Sequence, residues 1–431
     1  MKQFISKTWK SASVRNVGKL LSANIFAQAV GLLVYPVLTR LYTPEDFGLL
    51  NLFTSIAGVL ILLSTFEWYN AIVLPKKEEE ACSLVHLCLF SIGILTLILI
   101  ASFPFAPHIA NLFNSPQLAH YYWLLPIYVL LMGLWNVLNY WYIRNKQYGR
   151  ISGYQISQSL FSAGYKAGFH FLPFQGGLIY ATILSPLCSL LLSFILAGKK
   201  CLAPLREINT NLCKKVAAVY SNFPKYSTPR SLINYVSGNL PILMLAPTFG
   251  LTETGFIGMS LTLAVSPVQI VVRSIFQVLY ERITYRINAR QKVFRLLVRF
   301  SCVVSLIIVP AFAGLYFVLP WLTTMLLGQE WEVTGEYIRI LLPWIGMIIV
   351  ATSINFIPDI FGKQRGMLWI EIVYIVLRIG SLAIGIYMDS LLVALSLFSC
   401  SGFVVLLGET LWFLILVYRY DQQLGYEGDT E

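Results

Sequence analysis

The sequence predicts an all-α polytopic membrane protein with about twelve transmembrane helices in two pseudo-repeated bundles of six. Of its 431 residues 57% are hydrophobic and only 12% are charged, whereas soluble domains carry about 25% charged residues. Apolar runs such as 88–103 and 391–417 are long enough to cross a bilayer core of ~30 Å. Backbone amides cannot remain unpaired in lipid, so each run is expected to be helical.

The apolar windows give the order of the spans. We place them at 16–38, 47–74, 82–104, 121–143, 151–172, 178–197, 229–247, 254–280, 296–319, 337–360, 367–387 and 391–418. The basic N-terminal stretch leads directly into the first of these, so we expect no cleavable signal peptide.

The positive charges test this topology independently. Most of the 31 lysines and arginines fall in alternate loops, on one side of the membrane, and only Arg40 and Arg339 fall on the other. Basic loops stay in the cytoplasm, which places both termini there. The net charge of +11 is therefore a topology signal, and we expect no nucleic-acid partner.

The longest inner loop divides the spans six and six. We therefore expect an N-terminal bundle (1–198), a cytoplasmic linker (199–228) and a C-terminal bundle (229–431). A weak internal repeat agrees, because 42–56 aligns with 249–263 and one constant offset pairs the positions Asp46 with Glu253, Gly48 with Gly255, and Gly31 with Gly238. Repeated bundles of six helices are a common transporter plan.

Three cations lie inside spans, namely Lys166, Arg273 and Arg378. A charge at the bilayer centre costs at least ~2.5–3.5 kcal/mol, so such residues usually face a cavity or a partner. We interpret them as a binding site for an anionic headgroup. The alternatives are snorkelling to the headgroups for Lys166 and Arg273, a structural ion pair for Lys166, and for Arg378 a buried bridge to Glu371 or Glu409.

Polar side chains accompany these cations at helical spacing and predict the wall of a cavity. Interhelical hydrogen bonds are the alternative role for those on the first and seventh spans. The candidates are Gln155, Ser159, Ser162 and His170 on the fifth span, Ser266 and Gln277 on the eighth, Asn24 and Gln28 on the first, and Asn234 on the seventh.

Three acidic residues, Glu67, Glu371 and Glu409, fall within spans toward the inner side. A buried carboxylate beside a cation can exchange H⁺ or Na⁺, which makes them candidates for ion coupling; pairing with an inner-loop cation is the alternative. The sequence carries no nucleotide-binding or hydrolase motif, and its seven cysteines form no CxxC pair. We therefore expect a protein that is not an enzyme and that has no cofactor and no metal site.

The stretch 20–81, with the first outer turn "RLYTPEDFGLL" (40–50), resembles the Wzx-type polysaccharide flippases. These belong to the MOP exporter superfamily, together with the lipid II flippases and the MATE drug exporters. The resemblance implies a fold of two six-helix bundles around a central cavity, and a translocator of undecaprenyl-diphosphate-linked oligosaccharide in a bacterial inner membrane. It also implies contact with membrane lipids and, as further partners, a glycan polymerase and a chain-length regulator.

Other classes of membrane protein are expected to have different sequence features. A MATE-like, ion-coupled exporter of cationic drugs is expected to hold carboxylates at the cavity centre, whereas the mid-membrane excess here is basic. A major-facilitator transporter is expected to carry a GxxxDRxGRR-like pattern where this chain has "PKKEEEA" (75–81). A glycan polymerase or ligase is expected to have a large outer loop with arginines, and the outer loops here are short.

Overall fold

A computed structural model describes residues 12–173, 175–197 and 210–428, and every regular element in this part of the chain is a helix. Its contacts divide the chain into two compact units, Met1–Gly255 and Phe256–Glu431. Residues 1–11 of the basic N-terminal stretch and residues 199–209 of the inner linker lie outside the described residues. The bundle boundaries read from the sequence, 1–198 and 229–431, stay a prediction.

The helices are numbered here in chain order. In the first part of the chain they are α1 (Ala12–Leu41), α2 (Pro44–Thr65), α3 (Trp68–Ala71), α4 (Glu78–Ala101), α5 (Ala106–Leu112), α6 (Gln117–Tyr121), α7 (Leu124–Arg144), α8 (Tyr148–Phe169), α9 (Gly177–Ala197) and α10 (Thr210–Val219). They are followed by α11 (Thr228–Asn288), α12 (Phe294–Leu327), α13 (Glu332–Thr352), α14 (Ile357–Ile360), α15 (Gln364–Tyr387) and α16 (Leu391–Gly428).

The helices agree with about twelve spans. Ten helical segments of the described chain are long and apolar enough to cross a membrane. The seventh and eighth predicted spans share one of them, because α11 continues through a kink at Gly250 (φ 84°). The fifth span is α8, which is too polar to be counted by composition. The protein is a multi-pass membrane protein.

Local sequence explains where α2 begins and where it ends. Thr43 caps its N-terminus: its hydroxyl accepts from the Asp46 amide at 3.3 Å, and the Asp46 carboxylate accepts from the Thr43 amide at 3.0 Å. Pro44 occupies the first turn, where its missing N–H costs nothing. The helix ends at Thr65 because Phe66 and Glu67 both take left-handed backbone conformations (φ 46° and 55°).

Within the first unit, α2 meets the chain around the α11 kink through two glycines. A Cβ at Gly48 would overlap the Leu251 carbonyl oxygen, and a Cβ at Gly255 would overlap the Pro44 carbonyl oxygen. The offset that pairs Gly48 with Gly255 in the sequence also pairs Pro44 with Leu251. Under the repeat, the contact of Gly48 with Leu251 is therefore equivalent to the contact of Gly255 with Pro44. Only glycine permits backbones this close.

Large side chains and one arginine fix the interior of the first unit. The rings of Trp135 on α7 and Tyr154 on α8 stack with centroids 3.3 Å apart and planes 10° apart, and both side chains are buried. At the predicted inner side, the Arg144 guanidinium donates to the carbonyl oxygens of Ile72 and Pro75 at 3.1 and 2.6 Å. It thereby satisfies carbonyls that the turn before α4 leaves without helical partners.

In the second unit, α12 packs on α13, α13 packs on α16, and α15 packs on α16. The Asp421 carboxylate of α16 accepts hydrogen bonds from the amides of Val293 and Phe294, each at 2.9 Å. These amides begin α12, so a side chain from the end of the chain caps a helix that starts more than a hundred residues earlier. Ile283 and Phe413 are fully buried in the apolar cluster beside this cap.

Candidate functional site

A polar cavity of about 290 Å³ lies between α1 and α8 in the first unit. Its polar wall comes from two helix faces on which amide, hydroxyl and ammonium groups recur every three or four residues. The lining residues that carry polar side chains are Asn24, Gln28 and Tyr35 of α1 and Gln155, Gln158, Ser159, Ser162 and Lys166 of α8. We call this space the lysine cavity.

Six residues selected from the sequence meet in the lysine cavity: Asn24, Gln28, Gln155, Ser159, Ser162 and Lys166. Their spacing on two helices that pack against each other accounts for the meeting. Gln158 belongs to the same wall and was missed. It lies three residues after Gln155 and four before Ser162, so the same periodicity would have found it.

The lysine cavity holds one cation and, among the described residues that line it, no carboxylate. Lys166 is half-buried there, and its backbone oxygen accepts a 2.7 Å hydrogen bond from the Tyr42 hydroxyl. Burial and the neighbouring Asp46 raise the pKa of Tyr42 to about 12, so this hydroxyl is a protonated donor at neutral pH. About three helical turns before Lys166 on the same wall, the Gln155 Oε1 is buried with no hydrogen-bond partner in the described structure. A cation and an unsatisfied acceptor together suit a ligand with an anionic group and hydroxyls.

The other predicted wall residues lie elsewhere. His170, one turn beyond Lys166, lines a second cavity. Asn234 is exposed on the first part of α11. In the second unit, Arg273 and Gln277 are exposed and Ser266 is half-buried. These residues are not part of the lysine cavity, and their contribution to a binding site stays a prediction.

Arg378 lies in the packed interior of the second unit, where it is 3% exposed. Its guanidinium carbon lies 4.1 Å from the ring centroid of Tyr374, 4.4 Å from that of Phe398 and 4.7 Å from that of Trp344. The Trp344 indole N–H donates to the Tyr374 hydroxyl at 2.8 Å and fixes two of these rings. Cation–π contacts of this kind stabilise a buried guanidinium. The structure thus surrounds Arg378 with aromatic rings, an environment that neither of its sequence interpretations included.

The three acids differ in position. Glu67 was expected inside the second span, but that span ends at Thr65 and Glu67 is buried in the left-handed turn that follows. There, burial and the Glu67 carboxylate raise the pKa of Tyr69. Glu409 is buried on α16 and Glu371 is half-buried on α15, two helices that pack together in the second unit.

Comparisons with known proteins agree on one family. The family model described as "Polysaccharide biosynthesis protein" matches residues 37–336, which is more than two thirds of the chain. The chain is 22% identical over 419 residues to the succinoglycan biosynthesis transport protein ExoT of Rhizobium meliloti (strain 1021), covering 94% of this chain and 80% of the relative. It is 25% identical over 315 residues to the lipopolysaccharide biosynthesis protein WzxC of Escherichia coli (strain K12), covering 72% of this chain and 62% of the relative.

Solved structures share the fold at low identity. The lipid II flippase MurJ in an inward closed conformation superposes with a TM-score of 0.69 at 13% identity, covering 96% of this chain and 93% of that one. An inward-facing multidrug resistance MATE family transporter of the MOP superfamily superposes with a TM-score of 0.67 at 14% identity, covering 93% and 96%. With the helical architecture and the extent of the family match, these findings lead to one conclusion: the chain belongs to the polysaccharide biosynthesis protein family and has the fold of the MOP superfamily exporters.

Proposed function

We propose that this protein is a flippase that moves an undecaprenyl-diphosphate-linked oligosaccharide from the cytoplasmic to the periplasmic leaflet of a bacterial inner membrane. Both termini lie in the cytoplasm, as the distribution of basic loops predicts. The names of the relatives, which concern succinoglycan transport and lipopolysaccharide biosynthesis, support a lipid-linked sugar as cargo. The proposal involves positioning and electrostatics and no reaction chemistry.

The composition of the lysine cavity is the observation that carries this proposal. Its described wall combines one ammonium group with amides and hydroxyls and includes no carboxylate. The ammonium of Lys166 neutralises part of a diphosphate through charge-assisted hydrogen bonds. The amides and hydroxyls of Gln28, Gln155 and Ser162 replace the water that sugar hydroxyls lose in the bilayer core.

The chemistry of the lipid tail determines where that part of the substrate lies during transport. An isoprenoid tail is as apolar as the acyl chains, so it stays in lipid while the polar end crosses within the protein. Alternating access of the two repeats about the site then exposes the polar end first inward and then outward. An inside-negative potential favours outward movement of phosphate by ~2.3 kcal/mol per charge per 100 mV.

A MATE-like, ion-coupled exporter of small molecules is the second candidate, because a MATE transporter shares the fold. Such an exporter of cations needs a buried carboxylate in its cavity, and the lysine cavity offers a cation instead. Glu371 and Glu409 in the second unit are the residues that we propose for H⁺ or Na⁺ coupling, should the flippase use an ion.

The test measures surface glycan in a strain that lacks the gene and is complemented with variants. Lys166→Ala should reduce glycan export at least about tenfold, since hydrogen bonds to charged groups contribute about 1.5–3 kcal/mol. Lys166→Arg should retain part of the export. Lys76→Ala, at an exposed lysine of the inner turn, is the matched control and should export normally at equal membrane abundance.

Normal glycan display with Lys166→Ala at wild-type abundance would refute the role of this cavity. Normal display in the deletion strain itself, together with increased susceptibility to cationic drugs, would replace the flippase with the exporter.

A further inference from the structure

A second, larger cavity opens beyond the lysine cavity at the predicted outer side of the first unit. Its volume is about 740 Å³, within the range of about 300–1,000 Å³ typical of ligand sites. Three outer segments form it: residues 41–49 around the first turn, 117–121 of α6, and 169–170 at the end of α8 together with 175–180 at the start of α9. We call this cavity the outer vestibule. His170 lines it one helical turn from Lys166, so the two cavities follow one another along α8.

Aromatic rings form much of the wall of the outer vestibule. Tyr42 and His170 meet edge to face with centroids 5.5 Å apart. Tyr121 and Tyr180 form a second edge-to-face pair at 6.0 Å. Each ring therefore packs against a neighbouring ring. Aromatic rings beside polar groups match a sugar, whose C–H faces pack on rings while its hydroxyls form hydrogen bonds.

The loop before α9 shapes this aromatic wall. Gly176 has a φ of 82°, and a Cβ at this position would overlap the Tyr121 ring. A Cβ at Gly177 would lie 2.7 Å from the Tyr42 hydroxyl oxygen. Two adjacent glycines thus allow both tyrosines to lie against the backbone, which no other residue type permits here. The shape of the vestibule is encoded in the sequence of this loop.

Carboxylate and amide groups complete the wall at fixed positions. The Gln117 side-chain amide donates to the Glu45 Oε1 at 2.7 Å. The Asp46 Oδ2 accepts from the Thr43 amide and hydroxyl at 3.0 and 2.9 Å. Within the described part of the chain these bonds engage one oxygen of each carboxylate, which leaves the second oxygen as an acceptor for a ligand hydroxyl or amine.

The two cavities carry opposite charge. The described wall of the lysine cavity has one ammonium and no carboxylate. The described wall of the outer vestibule has two carboxylates, Glu45 and Asp46, two histidines, His120 and His170, and neither lysine nor arginine. Carboxylates repel phosphate, and they repel sugar acids in the same way. The vestibule therefore suits the uncharged or amine-bearing part of a substrate whose anionic part suits Lys166.

We propose that the outer vestibule binds the glycan part of the translocated molecule and that this glycan consists of neutral or amino sugars. The assignment rests on the proposed flippase function and adds the substrate class. The glycan enters the vestibule ahead of the diphosphate, its hydroxyls donate to Glu45 and Asp46, and its apolar faces lie on the tyrosine rings. The same chemistry rejects a repeat unit that carries a carboxylate.

The test is a protection experiment with the full-length protein in cells. Gln175→Cys places a thiol at the exposed rim of the vestibule, and Asn111→Cys places one at an exposed position of α5 in the same unit, away from the vestibule. A membrane-impermeant maleimide labels both. One host accumulates its lipid-linked oligosaccharide because its glycan polymerase is deleted. The other host lacks the first glycosyltransferase and makes none.

We expect Gln175→Cys to react at least about threefold more slowly in the accumulating host, which corresponds to a site about two-thirds occupied. Asn111→Cys should react equally in both hosts. Adding Glu45→Gln or Tyr121→Ala to Gln175→Cys should remove the protection. Composition analysis of the surface glycan should find neutral or amino sugars.

Equal labelling of Gln175→Cys in the two hosts would overturn the assignment, and so would a glycan with a uronic acid in every repeat. Protection by Mg²⁺ or Ca²⁺ alone in the host without oligosaccharide would make the vestibule a cation site instead. If Lys166→Ala still abolishes export in these cases, the flippase function stands and only the vestibule assignment fails. If deleting the gene leaves export intact, the function itself fails.

Discussion

Alanine at Gly48 or Gly255 should destabilise the protein, whereas alanine at Gly31 or Gly238 should not. All four are helical glycines of the first unit, and the internal repeat pairs them two by two. A Cβ at Gly48 meets the Leu251 carbonyl oxygen and lies 3.1 Å from the Gly255 nitrogen, whereas a Cβ at Gly31 or Gly238 meets no atom within 4 Å. Gly48 and Gly255, where a Cβ is obstructed, and Gly31 and Gly238, where it is not, therefore provide a matched comparison.

The size of the destabilisation depends on which atoms must move to relieve the overlap. The obstructing atoms are backbone atoms, which cannot rotate away, so α2 must separate from the α11 kink by more than about 1 Å to restore normal contact. Overpacking of this kind costs about 1–3 kcal/mol, or roughly a 5- to 150-fold change in an equilibrium constant. Alanine at the open positions instead gains up to about 1 kcal/mol of helix propensity.

The assay is thermal unfolding of the purified protein in detergent, followed by the fluorescence of its ten tryptophans. Gly48→Ala and Gly255→Ala should each lower the transition temperature, and the double variant should lose less than the sum, because one separation relieves both overlaps. Equal transition temperatures for Gly48→Ala and Gly238→Ala would refute this reasoning.

Three further substitutions test other contacts. Arg378→Met should lower the abundance of the protein in the membrane, unlike Lys166→Ala, because it removes cation–π contacts of about 0.5–2 kcal/mol each from a packed interior. Quantitative immunoblotting measures this abundance. Unchanged abundance with lost export would instead place Arg378 in substrate binding. Trp135→Ala should cost about 3–5 kcal/mol by emptying the space stacked on Tyr154, while Trp135→Phe should cost much less; equal unfolding temperatures of the two variants would contradict the role of the stack. Arg144→Ala should lower the free energy of unfolding by about 1–3 kcal/mol, because it leaves carbonyl groups of the inner turn without hydrogen bonds. A protease should then cleave that turn faster. An unchanged cleavage rate would contradict this role of Arg144.

Periodicity accounts for what the sequence revealed of the candidate site. Polar residues such as Gln155, Ser159 and Lys166 share one helix face whatever the partner helix is, so their grouping follows from 3.6 residues per turn. Of the three rings around Arg378, Tyr374 lies one turn earlier on the same helix, but Trp344 comes from α13 and Phe398 from α16. Such a meeting depends on tertiary packing, which no local pattern encodes.

Local sequence signals also explain why the start of α2 is recognisable in the sequence and its end is not. Thr43 and the Pro44–Asp46 segment form a recognisable start. The end of α2 has no such signal, because Phe66 and Glu67 take left-handed conformations that sequences usually reserve for glycine or asparagine. The expected second span therefore ran on past Thr65 and wrongly included Glu67. The outer vestibule was missed for a different reason, since its three segments are joined only by the fold.

The paired glycines have an evolutionary consequence. In a symmetric homodimer each subunit offers the same patch, so that residue i touches residue j and j touches i. Gly48 and Gly255 keep this mutual arrangement inside one polypeptide. A homodimer encodes both sides of such a junction with one glycine codon, whereas this chain needs two. The two codons mutate separately, yet a side chain gained at either one is opposed by the unchanged backbone on the other side.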